Sequence, residues 1–501
     1  MKKSIIFICL SLLLASCSCK QDALQQRIDA LTTGAPFAMP AIQLPQFAQR
    51  SINLSECPGT APDGTVLCTE AIRQAIDELN AQGGGTLVIP EGIWLTGPIE
   101  LKSNVRLHTE RGALVLFSDD FGLYPIIETS FDGVNTRRCL SPLNAHDAEN
   151  IAITGQGTFN GQGDAWRPVK KSKLTDGQWK KKVQSGGVLS EDGKVWYPTE
   201  GARYAVSLCK DQNVPEDVKD EAEWEYIHAF LRPVMLSFRG CKNVLLEGVC
   251  FENSPAWNLH PLMCENVVLA DLSVRNPWYS QNGDGVDVES CKNVVISGCT
   301  FDVGDDAICM KSGKNRDGRE RGIAAENIVV DGCTVYHGHG GFVVGSEMSG
   351  GVKNVSVQHC LFEGTDVGLR FKSTRGRGGV VENIYVKHIG MTDIPNEALL
   401  FDLFYGGKGA GEETDEEIAA RMGSSVPPVT EETPAFRDIV IEDVVCRGAK
   451  RPIYFNGLPE MPIRNVTLRH IRMTGGDNSQ FNRTENLVIE DVEINKVKIK
   501  N

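Results

Sequence analysis

Short runs of alternating Val and Ile, each introduced by a charged residue and an Asn, recur along most of the chain. The phrase appears as Glu149-Asn150-Ile151, Lys242-Asn243-Val244, Glu265-Asn266-Val267, Lys292-Asn293-Val294, Glu326-Asn327-Ile328, Lys353-Asn354-Val355 and Glu382-Asn383-Ile384. It returns as Arg437-Asp438-Ile439, Arg464-Asn465-Val466 and Glu485-Asn486-Leu487. From Asn243 onward the steps between these Asn or Asp positions are 23, 27, 34, 27, 29, 55, 27 and 21 residues. A period in the twenties, with period-two runs after a turn residue, predicts an all-β chain wound as a parallel β-helix whose coils turn Val and Ile inward. The step of 55 reads as two coils, interrupted by a loop around Gly406 to Thr433.

Asn suits the bend of each coil because it tolerates left-handed backbone and its side chain can bond main chain, so equivalent Asn residues are expected to stack as a ladder. Cys299, Cys333 and Cys360 each fall six residues after their coil's Asn and are expected to stack in the core. Ala71-Ile72 and Ala75-Ile76 lie at helical spacing in Thr69 to Ala81, which predicts a helix capping the first coil. The stretch from Trp166 to about Phe230 lacks the phrase and reads as an insertion over one face.

The N-terminus has Lys2 and Lys3, an apolar run from Ile5 to Ala15, then Leu14-Ala15-Ser16-Cys17. That run is short of the roughly 20 residues a membrane span needs. It has the form of a bacterial lipoprotein signal over residues 1–16, with Cys17 the lipidated residue. A polar tether over 17–50 and a single β-helix domain over 51–501, with its insertion at about 166–230, would follow. The expected location is the bacterial cell envelope, lipid-anchored, with no other membrane contact. The sequence does not set the oligomeric state.

A net charge of −14 argues against nucleic acid as a partner and predicts overall repulsion of a polyanion. Cations for an acidic ligand must therefore be concentrated locally, and the runs Arg370 to Arg377 and Lys311 to Arg321 are the candidates. The 16 cysteines include Cys9 and Cys17 in the leader region. Cys57 and Cys68, which flank Pro62-Asp63-Gly64, are the expected disulfide in an oxidising compartment, and no cysteine spacing fits a zinc site.

Four polar groups carry the candidate chemistry: Asn282-Gly-Asp-Gly-Val-Asp287, Gly304-Asp-Asp306, Gly338-His-Gly340 and Arg370-Phe-Lys372. Glycosidic cleavage needs one carboxylic acid to protonate the leaving oxygen and a carboxylate to activate water or attack. Arg370 and Lys372, two apart on a strand, share a face and can grip a uronate. Asp284 and Asp305 are 21 residues apart, close to one coil, which predicts side-by-side carboxylates on adjacent strands, with His339 and Arg370 on the next two.

In order and spacing these groups resemble Asn-Thr-Asp, Gly-Asp-Asp, Gly-His-Gly and Arg-Ile-Lys of glycoside hydrolase family 28, the polygalacturonases. Gly283 and Phe371 are the departures, and the resemblance spans nearly the whole mature chain. It implies a right-handed single-stranded parallel β-helix and an inverting hydrolase of α-1,4-galacturonic acid bonds in pectin. Asp305 would be the general acid, Asp284 and Asp306 would hold the attacking water, and His339 would tune the proton or bond the substrate. Mutual repulsion among the carboxylates would keep one protonated. Asn282, Arg370 and Lys372 would bind substrate, with Tyr279 and Tyr405 stacking on sugars, alongside candidates Trp257 and Trp278. Asp287, opposite in parity to Asp284, would be a structural hydrogen bonder. No metal or cofactor is implied. Asn276-Pro-Trp-Tyr-Ser280 and Arg370 to Arg377 resemble bacterial exo-acting members, and the insertion with the Lys311 to Arg321 loop would close one end of the site. Rhamnogalacturonan, xylogalacturonan and pectin side chains are alternative substrates. A pectate lyase and a non-catalytic glycan-binding β-helix are the competing activities.

Overall fold

The computed structural model describes residues 21–211, 213–406, 420 and 426–499. The leader and Cys17 lie outside the described residues, as does most of the loop after Gly406. Among the described residues, 32 strands join one continuous sheet, paired in parallel throughout the coils. The chain is a right-handed parallel β-helix. Each coil contributes one inward row, so Val244, Val267, Val294, Ile328, Val355, Ile384, Ile439 and Val466 stack down one line of the core.

The Asn ladder forms. Asn150 donates to Asn104, and the chain of side-chain bonds continues through Asn243, Asn266, Asn293, Asn327, Asn354 and Asn383, each at 3.0–3.2 Å. Every one of these Asn residues has a φ between 54° and 63°, the left-handed region that Asn enters more readily than a branched residue. Cys299, Cys333 and Cys360 lie buried in the core, where contact with Cys299 and Cys360, and then burial, raise the Cys333 thiol well above its usual range. The helix Thr69–Ala81 buries Ile72, Ala75, Ile76 and Leu79 over the first coil.

Several expectations are corrected. The 55-residue step is one coil, because Val380–Asp402 pairs directly with Ala435–Asn456 and Ile384 faces Ile439. An excursion lengthens that coil without adding a strand layer. Cys57 and Cys68 are free thiols, each directed at a main-chain carbonyl. The described part of the tether is docked on the domain: residues 21–33 are helical, and Leu24, Ile28, Ile42 and Leu44 bury against Ala152, Leu245, Val268, Val295 and Val329. Outward apolar side chains on successive coils make that wall sticky, and Arg27 pairs with Asp271 at its edge. Among the described residues no helix is long and apolar enough to cross a membrane.

Between Thr158–Asn160 and Leu236–Arg239 the chain leaves the coil for short helices and a three-stranded antiparallel sheet. A second excursion, unforeseen, is the hairpin Ile126–Phe131 with Val134–Cys139.

Candidate active site

Four neighbouring strands carry or directly follow the motif residues, Val286–Glu289, Asp306–Lys311, Gly340–Val344 and Leu369–Lys372, with Leu259–Leu262 beside the first of them. Their register places Val286 beside Ile308, Asp306 beside Gly340, and Val343 beside Arg370. The turn residue Gly285 donates to the Asp306 carbonyl at 2.9 Å, so Asp284 lies against Asp306, one residue from the expected partner Asp305. Asp305 instead meets His339: the His339 N–H donates to the Asp305 carbonyl at 2.9 Å, and Nδ1 lies 3.1 Å from Oδ1. The nearest oxygens of Asp284, Asp305 and Asp306 all lie within 4.8 Å of one another.

The two departures have local causes. A Cβ on Gly283 would stand 1.9 Å from Ser280 Oγ, so the turn has no room for Thr. Phe371 points into the core, where its ring stacks on Phe401 at 4.3 Å between centroids. Gly338 carries no side chain because a Cβ there would sit 2.8 Å from the Asp305 carbonyl oxygen.

Arg370 and Lys372 converge on one carboxylate. Lys372 Nζ donates to Asp306 Oδ2 at 2.7 Å and Arg370 Nη1 to Oδ1 at 3.2 Å, all three groups nearly fully buried. Burial works against ionising Asp306, yet Lys372 and Arg370 hold its carboxyl below the usual range. Burial is likewise overcome at Asp305, which His339, Lys372 and Arg370 pull low. His339 is raised against its own burial by Asp305. Asp284 is the reverse case. Burial, then the charges of Asp287 and Asp305, push it well above the ordinary carboxyl range. Burial, and after it repulsion among the carboxylates, favours the protonated form of Asp284, whereas the contact between Asp305 and His339 favours a carboxylate facing an imidazolium.

Asp287 is no structural hydrogen bonder. Both its oxygens are buried without a hydrogen-bond partner, and Lys311 Nζ stands 3.5 Å away. Parity fails as a guide because the strand begins at Val286, leaving Asp284 in the preceding turn. Lys311 also donates to Glu347 at 2.9 Å and lies 4.7 Å from the centre of the Trp257 ring. Trp257 is itself buried and stacked on Phe131, which makes it wall packing.

Asn282 has a φ of 53° and accepts from the buried Arg232 at 3.0 Å. Tyr405 presents its ring to both cations, 4.9 Å from Lys372 Nζ and 5.6 Å from Arg370 Cζ. Trp278 is 55% exposed, and Lys173 from the insertion lies over its ring. Tyr279 is half-buried between Trp278 and the charges of Asp164 and Arg167. The two basic runs are mostly braces: Arg375 pairs with Glu460, Arg319 with Glu432 and Arg321 with Glu289.

The wall at the far end of these strands is the hairpin. Gly133 accepts from the Lys314 N–H at 2.8 Å, the Asn135 N–H donates to Asp317 at 2.9 Å, and Arg321 reaches Ser130 at 3.2 Å. Its signal was present in the chain: Asp132-Gly133 between two alternating runs is a hairpin turn, and both residues have positive φ. Asp366, beside His339, was also missed.

Clustered carboxylates flanked by Arg, Lys and His on the strands of a parallel β-helix define a carboxylate-driven glycoside hydrolase. Asp284, Asp305 and Asp306 could each offer one oxygen to a cation, and Asp306 is already paired with Arg370 and Lys372. The chain belongs to glycosyl hydrolases family 28, whose model matches residues 228–495. It is 28% identical over 344 residues to a probable polygalacturonase of Vitis vinifera, a match covering 67% of this chain and 59% of that protein. It is 26% identical over 459 residues to the exo-poly-alpha-D-galacturonosidase of Dickeya chrysanthemi, covering 88% and 74%. The solved structure of a hyperthermoactive exopolygalacturonase from Thermotoga maritima is 30% identical with a TM-score of 0.70, covering 93% of this chain and 96% of that one.

Proposed function

We propose that the protein hydrolyses α-1,4-galacturonide bonds of pectic chains by inversion, releasing galacturonic acid from chain ends. The observation that carries this reading is the buried Arg370 and Lys372 pair, which faces both Asp306 and the Tyr405 ring beside the Asp305–His339 couple. A sugar carboxylate docking there competes with Asp306 for the two cations. Asp305 and His339 are the site's open groups, with 22% and 23% of their side chains exposed, whereas Asp284 and Asp306 lie beneath. Asp305 is therefore the group that reaches the leaving oxygen. The bound anion offsets Lys372 and Arg370, which together with His339 hold Asp305 low, and the proton that Asp284 favours passes across the short gap to Asp305. Asp284, now ionised, and Asp306 then receive the attacking water and take up its proton.

Asn282 turns its carbonyl to Arg232 and positions the first turn, while Tyr279 and Tyr405 flank the sugar. The oxygens here lie nearer than the roughly 6.5–9.5 Å usual between acid and base in inverting enzymes, so inversion rests on the family resemblance and on a water held by two carboxylates. End-on action is supported by the hairpin and Lys311–Arg321 wall and by the names of the Dickeya and Thermotoga proteins. The first residues support lipid anchoring through Cys17 in a bacterial envelope. Proton NMR of the first product gives the anomer, and a time course on polygalacturonate gives the mode. Monomer from the first minutes with slow loss of viscosity is expected; early mixed oligomers refute end-on action, and a retained anomer refutes inversion. No cleavage of any pectic fragment refutes the substrate reading.

A further inference from the structure

His339 is bracketed by two carboxylates. Asp305 Oδ1 lies 3.1 Å from Nδ1 on one side, and Asp366 Oδ2 lies 3.8 Å from Nε2 on the other. Main-chain bonds across four successive coils hold this in register. The His339 N–H donates to the Asp305 carbonyl, the Asp366 N–H donates to the Gly338 carbonyl at 2.9 Å, and the Asn396 N–H donates to the Asp366 carbonyl at 3.0 Å. Thr365 and Val367, on either side of Asp366, are fully buried, so the backbone that aims the carboxylate is fixed.

A neutral imidazole carries one N–H and can satisfy only one of two facing carboxylates, whereas imidazolium satisfies both. We propose that Asp366 is a positioning residue for the hydrolysis, holding His339 doubly protonated and oriented so that a proton stays next to Asp305. The proposal rests on the reading of Asp305 as the proton donor. The other charges facing His339 are Asp306, which supports the cation, and Arg370, which opposes it. Burial raises the Asp366 carboxyl, and His339, then Arg370 and Lys173 of the insertion, oppose that and favour its charged form, so the roof of the site touches the same couple.

The first test is the titration of His339 itself, read by NMR in protein labelled at the histidine ring carbons and assigned with His339→Gln. In the wild type His339 should titrate above the usual value of about 6.5. Asp366→Asn is isosteric and should lower that titration by about one unit, the usual worth of an opposite charge within 4–6 Å, while Asp366→Glu keeps most of it. The basic limb of the kcat/KM profile on an oligogalacturonide should move down with it, with the optimum rate changed less than tenfold. An unmoved His339 titration in folded Asp366→Asn overturns the proposal, as does a rate loss uniform across pH. The NMR arm needs no substrate, so a wild type inert on pectic fragments but showing the shift refutes the hydrolase reading and leaves the His339–Asp366 coupling standing.

Discussion

Replacing Lys372 with Met tests the central ion cluster through stability as well as activity. Lys372 Nζ stands 2.7 Å from Asp306, and Arg370 stands 3.2 Å from it on the other oxygen. With an effective dielectric constant of about 20, the first contact is worth about 6 kcal/mol of gross attraction and the second about 5. Desolvation consumes much of this, and breaking one side of a buried pair costs about 3–5 kcal/mol net. Arg370 remains in the variant, so a cost of about 3 kcal/mol is expected, at the low end of that range. For a domain of roughly 450 residues, an unfolding entropy of about 2.1 cal/mol/K per residue makes this a fall of about 3 °C in Tm. The pH dependence fixes the cause. Asp306 has a lowered folded pKa, so its contribution is present above the unfolded value of about 3.9 and disappears as pH falls through the folded value. Lys372 has a raised folded pKa, so its contribution is complete below about 10.4 and lost only as pH rises past the folded value. The deficit of Lys372→Met should therefore be full at pH 7 and close below pH 4, as read by thermal melts at one scan rate. An equal deficit at pH 7 and pH 3 would mean lost packing instead of a lost ion pair, and a higher Tm at pH 7 would refute the reasoning outright.

Asp305→Asn should lower turnover by about 10²-fold to 10⁴-fold, the range of general acid catalysis, while the protein keeps a cooperative melt; near-normal turnover would remove Asp305 from the role. Asp284→Asn should also abolish most turnover, yet raise Tm at pH 7, because a carboxyl with a raised folded pKa costs stability above its unfolded value. That gain, about one degree per unit of offset, should vanish near pH 3, and a lowered Tm at pH 7 would show Asp284 ionised at rest. Shortening the hairpin Ile126–Cys139 to a tight turn at its base should open the site and convert early monomer release into mixed oligomers on polygalacturonate, measured by product chromatography.

The parts of this molecule that repeat were legible, and the parts that do not repeat were largely not. An Asn at each bend and β-branched residues after it are dictated by left-handed turns and an inward face, so the phrase marks every coil and the motif order brings Asp305, His339 and Arg370 onto successive strands. The step of 55 misled because a period cannot distinguish two coils from one coil carrying a long excursion. Register between Asp284 and Asp306 also escaped, since a turn residue ahead of Val286 obeys no parity. Asp366 has no neighbouring charge and sits in Thr365-Asp-Val-Gly368, which resembles any loop. Its meaning comes from Gly338 and Asn396, bonded to it from the coils on either side. The docked segment 21–44 failed as a tether because its few apolar residues match a wall that is apolar only when five coils are assembled.

Net charge and local charge are reconciled at the floor of the site. Asp284 and Asp287 are both pushed towards the protonated form by burial, and Asp284 further by Asp287, which favours less negative charge at the place where a polyanion must approach. Lys311, Arg370, Lys372 and Arg377 gather at this floor against Asp306 and Glu347, which concentrates positive charge there in a protein of net charge −14. Glu347 is held low despite burial by Lys311, Arg377 and Lys314, and Lys311 in turn rests on Trp257, which the hairpin's Phe131 pins in place. The hairpin and the buried cation Lys311 are thus one packed unit. A change to the hairpin reaches Lys311 through Phe131 and Trp257, and reaches Asp284 through the charge on Lys311. Loosening this wall should therefore hydrate Lys311 and Asp287 and bring the Asp284 carboxyl back towards its ordinary range, so that a hairpin variant is expected to change the pH profile along with the product pattern.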